Sequence, residues 1–271
     1  MLTVCRYQRA FVDFFEDQLV FRRYNVQLVL EEYLLGGKKP LINGMISGLA
    51  HPLIHLGYAY ELGSTTIAIE ALALGACFYS PLHNYIDDTS YTKPSPHRST
   101  SLREILDKVR EDKRFDGLYP RRSGDISKVL DEQEEAFLEY WNAWELSNPQ
   151  KAFRQSQELA VTILMGTEAP ENTKSNFFVH ILTSSHAVRV LLPLIPAKFH
   201  VGLVRQWWLF TLAIYIAQTR PEIDPTVIEK YELNGRDWKF VVYKALDSSE
   251  SKDAHYVKGM IIHAIFPEVL H

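Results

Sequence analysis

The chain has 271 residues, 46% of them apolar and 12% aromatic, which is enough to fill a sizeable core and excludes an intrinsically disordered protein. Its 29 Lys and Arg against 33 Asp and Glu give a formal net charge of -4, without the basic excess that tracks a phosphate backbone, so no nucleic-acid partner is expected. Two cysteines, Cys5 and Cys77, make neither a disulfide framework nor a cysteine zinc cage; they suit a reducing, intracellular, cytoplasmic setting and leave any metal to histidine and oxygen ligands.

At the start of the chain Arg6, Arg9 and Asp13 interrupt the apolar residues, so the unbroken apolar run of a secretory signal is missing. From about Tyr7 to Leu35, Phe11, Phe14, Phe15, Leu19, Val26, Leu30 and Leu34 recur every three or four residues, which predicts a helix closed by Gly36-Gly37. Leu41 to Leu82 is apolar on most faces, and Gly63-Ser64 divides it into two core helices. Residues 87–100, with Pro94, Pro96 and several Ser and Thr, read as an internal loop. Leu102 to Arg114 and Ile126 to Asn148 are charged amphipathic helices, the second with Leu130, Phe137, Leu138, Trp141 and Trp144 on one side.

Further helices are predicted over Phe153–Leu164, Phe177–Leu192, Val201–Gln218 and Asp253–Phe266, with prolines 193, 196, 221 and 225 at the joins. Trp238 to Tyr243 passes for a strand, but one short segment makes no sheet. The fold class expected is all-α, a single compact multi-helix domain over residues 1–271. Thr65–Tyr79 is interrupted by Glu70 and Val201–Ala217 by Arg205, and both fall short of the roughly 20 clean apolar residues of a membrane span, so no membrane association is expected.

No GxGxxG after a strand and no GxxxxGK[ST] loop is present, so a built-in flavin or nicotinamide site is not expected; GxSxG, HExxH and EF-hand patterns are missing too. Chemistry then falls to ten histidines. His51 and His55 lie four residues apart, which on a helix sets two imidazoles about 5 to 6 Å apart at Cβ, suited to one metal ion; two core histidines, each hydrogen-bonded separately, fit the same spacing. His180 and His186 sit in a polar patch between apolar residues, and one or both can point inward. His255 and Lys258 share a helical face. A buried lysine amine is neutral and able to take up carbon dioxide as a carbamate, whereas an ammonium reaching solvent is the commoner arrangement. His83, His97, His200, His263 and His271 are weaker candidates.

Four blocks together resemble the questin oxidase-like family, whose fungal members act on anthraquinones and related polyketides: Phe14-Phe15-Glu16, the stretch from Gly48 to Tyr58 around His51-Pro52-Leu53-Ile54-His55, Phe177-Phe178-Val179-His180 followed by Thr183-Ser184-Ser185, and Asp253-Ala254-His255-Tyr256-Val257-Lys258. The resemblance implies an oxidoreductase, either a Baeyer-Villiger-type oxidase or a nonheme iron dioxygenase whose metal is held by four histidines and a carboxylated lysine. Carried over by motif match, the ligands are His51, His55, His180, His255 and the Lys258 carbamate, with His186 the first substitute for His180. The cofactor implied is Fe(II), and the partners are dioxygen and a small aromatic substrate. Family members usually carry a further N-terminal helical region of roughly a hundred residues, within domain size, and the resemblance implies that this chain starts at the family's second segment. Two other readings stay open: a catalytically inert helical binding protein, and a metal-dependent hydrolase in which a carbamylated lysine bridges two metal ions. Tyr58, Tyr60, Phe177, Phe178, Trp207 and Trp208 are available to stack on a flat ligand, although core packing is their commoner role.

Overall fold

Side-chain caps start many of the helices in the computed structural model, which describes residues 6–167, 176–232, 234–249 and 251–265. Helix α1 (Gln8–Phe21) is followed by α2 (Val26–Val29), where the Asn25 side chain accepts from the Leu28 N–H, and the chain continues through a π turn, Leu30–Leu34. The single helix expected over residues 7–35 is therefore broken. Arg23 and Tyr24 take φ values of 53° and 62° at the break, and the Arg22 guanidinium reaches across it to Gln18 and Glu32. The bend lets Phe15 and Leu19 enter the same core as Leu30 and Leu34.

Next come α3 (His51–Leu62) and α4 (Thr65–Cys77), separated by Gly63, at φ 60°, and by Ser64, which accepts from the Ile67 N–H. They are followed by α5 (Asn84–Asp87), α6 (Leu102–Glu111), α7 (Ser127–Trp141), α8 (Pro149–Gly166) and α9 (Asn176–Leu191), then α10 (His200–Ala217), α11 (Thr226–Glu229), α12 (Trp238–Asp247) and α13 (Ala254–Ile265). Ser101 caps α6, and Asn148 with a proline in the first turn opens α8, both standard entry chemistry. Among the described residues there is no strand, only two isolated backbone pairings, so the fold is all-α.

The segment that passes for a strand, Trp238 to Tyr243, lies in α12. Asp237 accepts from the Phe240 N–H and sets the helix going, while Trp238, Val242, Tyr243 and Leu246 point to solvent. Alternation there reflects a half-exposed helix rather than two faces of a sheet.

Helix α10 is the central pillar. From Leu203 to Ala217 every residue except Arg205 is buried; Trp207 Nε1 donates to Ile181 O at 3.1 Å and the Gln206 amide to Ile42 O at 2.9 Å. Arg205 lies 3.8 Å over the Trp141 ring and donates to Asn142, and burial lowers its pKa to about 10. Helix α3 packs against both α4 and α9. At the α3–α9 crossing a Cβ on Gly57 would stand 2.6 Å from the Cα and Cβ of Ala187, so only glycine permits this approach.

Among the described residues no single helix is long and apolar enough to cross a membrane; the pair Thr65–Cys77 and Pro81–Asp87 has the length and composition together but bends by 96°. Cys77 is disulfide-bonded, its partner lying outside the described residues.

Candidate functional site

Gly48, Leu49 and Ala50 take φ values of 59°, 58° and 60°, three left-handed residues in a row that lead into α3. For the two with side chains this conformation costs of order 1–3 kcal/mol each. The turn aims backbone carbonyls at histidines. His51 Nδ1 donates to Gly48 O at 2.7 Å, His180 is hydrogen-bonded to the Leu49 backbone, and one turn into α3 His55 Nδ1 donates to His51 O at 2.9 Å. A carbonyl only accepts, so Nδ1 of His51 and His55 carries the proton and Nε2 keeps its lone pair.

Helices α3 and α9 lie side by side, which sets the His51 and His180 rings edge to face at 4.8 Å between centroids. Helix α13 packs on α9 and adds His255, 5.2 Å from the His180 ring and again edge to face. The start of α13 is held by Asp253, whose Oδ1 accepts from the His255 N–H at 2.8 Å and lies 3.3 Å from His255 Nδ1. Lys258, half-buried, follows one turn later on α13.

Burial first, and then the neighbouring His51, His255 and Lys258, pull the His180 pKa down to about 3. His51 is lowered mainly by burial, with Lys258, His55 and His255 contributing, and burial lowers Lys258 as well. His51 and His180 are thus neutral imidazoles near neutral pH, beside a lysine whose protonation is disfavoured.

Three of the sequence candidates, His51, His180 and His255, are in ring contact, and His55 and Lys258 lie within electrostatic reach of His51. Fixed tautomers and neutral donors fit a borderline divalent cation. Among the described residues, however, no three His, Cys, Asp or Glu side chains gather their donor atoms as a group that could hold an ion.

His186 has a different place. Its Nε2 donates to Glu61 at 2.9 Å and its Nδ1 accepts from Arg189 at 3.2 Å, a buried tie between α9 and α3 that occupies both ring nitrogens. Beside it, the buried Tyr58 hydroxyl is pushed up to about 12, by burial foremost and then by Glu61. His83 donates to Asp87 at 2.7 Å, His97 stacks on Tyr140 at 4.4 Å between centroids, and His200 donates to Ile195 O at 3.0 Å; each has a structural partner. The side chains of His263 and His271 lie outside the described residues.

The histidine cluster opens into a cleft of about 860 Å³, lined by His51, His180 and His255, by Leu49, Phe78 and Leu82, and by the 123–127 loop ahead of α7 with Phe177. Of the six aromatic residues available to stack on a ligand, Phe177 alone lines it. The Phe177 ring packs on Gly124, where a Cβ would stand 2.2 Å from it. Phe78 and the 123–127 loop carry no motif; the turn-forming Ser123-Gly124-Asp125 is their sole local signal.

The questin oxidase-like family matches residues 1–260. Baeyer-Villiger oxidase GME11358 of Pestalotiopsis microspora is 25% identical over 280 residues, 95% of this chain and 62% of that protein. Baeyer-Villiger oxidase AgnL3 of Paecilomyces divaricatus is 26% identical over 281 residues, 92% of this chain and 58% of its own. Baeyer-Villiger oxidase notM of Aspergillus sp. (strain MF297-2) is 31% identical over 138 residues, 45% of this chain and 33% of its own. The chain spans about three-fifths of the length of the first and second of these. A match that runs from residue 1 through α3, α9 and most of α13 shows that the chain belongs to the questin oxidase-like family.

Proposed function

We propose that the chain carries the active site of an oxidoreductase that acts with dioxygen on an aromatic polyketide such as an anthraquinone, by Baeyer-Villiger-type oxygen insertion or ring cleavage. The observation that carries this reading is the contact of the His51, His180 and His255 rings at a cleft of about 860 Å³ with an aromatic wall, large enough for a flat polycyclic ligand. The relatives' names point to the same chemistry.

His51, His55, His180 and His255, with Lys258 as its carbamate, would hold a nonheme Fe(II) once their donor atoms close up from the spacing they have here. Bound iron supplies dioxygen activation beside an electron-rich phenolic ring. The residues have their own tasks. The Gly48 and His51 carbonyls hold Nδ1 of His51 and His55 so that Nε2 is presented. Phe177, Phe78 and Leu82 shield the site from water and offer flat apolar surface. A Lys258 ammonium would repel a divalent cation, and burial already disfavours it. The neutral amine takes up carbon dioxide with release of one proton, and the resulting anionic carbamate supplies an oxygen ligand, so carboxylation and metal binding are linked.

Elemental analysis of protein purified without oxygen tests the reading. One iron per chain is expected, with most of it lost in Lys258→Ala and part recovered in Lys258→Glu. Lys258→Ala binding iron as well as the parent would overturn the ligand set. Two metals per chain would favour the hydrolase, and none the inert binding protein.

A further inference from the structure

Two hydroxyls in the wall of the histidine cleft form a pair whose protons do not balance. Ser47 and Ser80 both line the cleft, and their Oγ atoms are 2.8 Å apart. Each hydroxyl carries one proton and two lone pairs, and the contact between them uses one proton. Among the described residues the second proton meets no acceptor.

Burial decides which serine keeps it. Ser47 is 2% exposed and has no side-chain partner other than Ser80, so accepting from Ser80 would strand its own proton in the interior. Ser47 therefore donates. Ser80, the less buried of the two, also accepts from the Leu82 N–H at a long 3.4 Å, at the start of the turn Pro81–His83. Both lone pairs of Ser80 are then taken, and its proton is left for the cleft. An oxygen that accepts twice is a stronger donor, and what it binds must be an acceptor.

The pair is held in place. Ser47 precedes the left-handed residues Gly48, Leu49 and Ala50, whose backbone holds His51 and His180. Phe78, two residues before Ser80, packs so closely on Gly48 that a Cβ there would stand 2.7 Å from its ring. The hydroxyl, an apolar wall and two of the clustered histidines thus hang on one short segment, so little ordering is needed when a ligand arrives. Elsewhere in the described lining the Asp125 carboxylate only accepts, and the Ser127 hydroxyl is spent on it at 2.7 Å. Ser123 also has a proton to give, but its N–H donates to Ala217 O, which anchors its loop to the end of α10 rather than to the histidine turn.

We propose that Ser80 donates its hydroxyl proton to a carbonyl oxygen of the aromatic ligand, with Ser47 as the positioning residue that fills one of its lone pairs. The ring system in this statement rests on the proposed function; the donor rests on the proton count. A quinone or ketone oxygen held this way takes up negative charge when a nucleophile adds to its carbon, and the contact strengthens as it does.

Titration of the full chain without oxygen, with anthraquinone and with anthracene, which has the same fused rings and no carbonyl, separates the two. From the parent to Ser80→Ala the ratio of anthraquinone to anthracene affinity is expected to fall about fivefold, as one neutral hydrogen bond of about 1 kcal/mol confers. Ser80→Asp keeps an acceptor for the Leu82 N–H but donates nothing, so it should lose the preference as well, whereas Ser80→Thr should keep it. The infrared carbonyl stretch of bound anthraquinone should lie lower in the parent and Ser80→Thr than in Ser80→Ala and Ser80→Asp, with Ser47→Ala between. A merely structural serine would not move that band. An affinity ratio or a carbonyl band unchanged in both Ser80→Ala and Ser80→Asp, or binding of anthracene without anthraquinone, overturns the donor while leaving the aromatic reading intact. Ser47→Ala behaving as the parent removes Ser47 from the proposal. Failure of the parent to bind either compound overturns both readings.

Discussion

Gly48 concentrates two constraints in one residue: its φ is 59°, and an added Cβ would lie 2.7 Å from the Phe78 ring. Gly48→Ala is therefore expected to lower stability by about 1–3 kcal/mol, through left-handed strain and overlap together. Phe78→Leu in the same chain should restore part of the loss, and thermal denaturation of the two single variants and the double variant measures the coupling. An additive cycle would show that the Phe78 contact is not the source. At this scale the histidines were legible as residue types in apolar helices, but their roles were not. His180 and His186 are six positions apart on α9, about 240° around the helix at 100° per residue, so they serve different neighbours. Contact with His51 and His255 singles out His180, and the tie to Glu61 and Arg189 accounts for His186.

Pairs of helices show where local preference and tertiary packing disagree. Gly57 sits inside α3, where alanine is intrinsically better by about 1 kcal/mol. Because its Cβ would meet Ala187 at 2.6 Å, Gly57→Ala is expected to destabilise instead, by about 1–3 kcal/mol, and to be partly rescued by Ala187→Gly. Chemical denaturation of the three variants checks the sign; a stabilised Gly57→Ala would mean that the α3–α9 contact yields easily. The break at Arg23 and Tyr24 is another disagreement. The apolar repeat continues across it, and the bend follows from packing both halves on one core rather than from a helix-breaking residue.

Over the whole molecule, the segment between α6 and α7 is held to the far end of α10 by charge. Arg220 donates to Val109 O at 3.1 Å and Asp112 O at 2.7 Å, while Arg114 joins Asp112 to Glu139. Burial by itself would raise the Asp112 carboxyl, but hydrogen bonds from the Arg114 guanidinium and N–H and from the Tyr140 hydroxyl outweigh it and bring the pKa from 3.8 to about 2. A carboxylate lowered in the folded state contributes stability in full above 3.8, and the contribution is lost as pH falls toward 2. The melting temperature of the parent should exceed that of Asp112→Asn near neutral pH, and the gap should narrow as pH falls through that window. A constant gap would show that the difference comes from something other than the charge.

The all-α class, the helix entries at Ser64 and Ser101, and the conjunction of HPLIHLGY with the His180 and His255 blocks are determined by the sequence itself. Helix hydrogen bonds and caps join residues about four apart, so they leave a periodic record. The sequence had no such record of Phe78 or of the 123–127 loop as walls of the histidine cleft, because that cleft is lined by segments far apart in the chain. Tertiary structure alone decided that three histidines from α3, α9 and α13 meet, that His186 does not join them, and that Trp238 to Tyr243 is helical. Each of these depends on which faces are buried against which neighbours, an energy that no local period encodes.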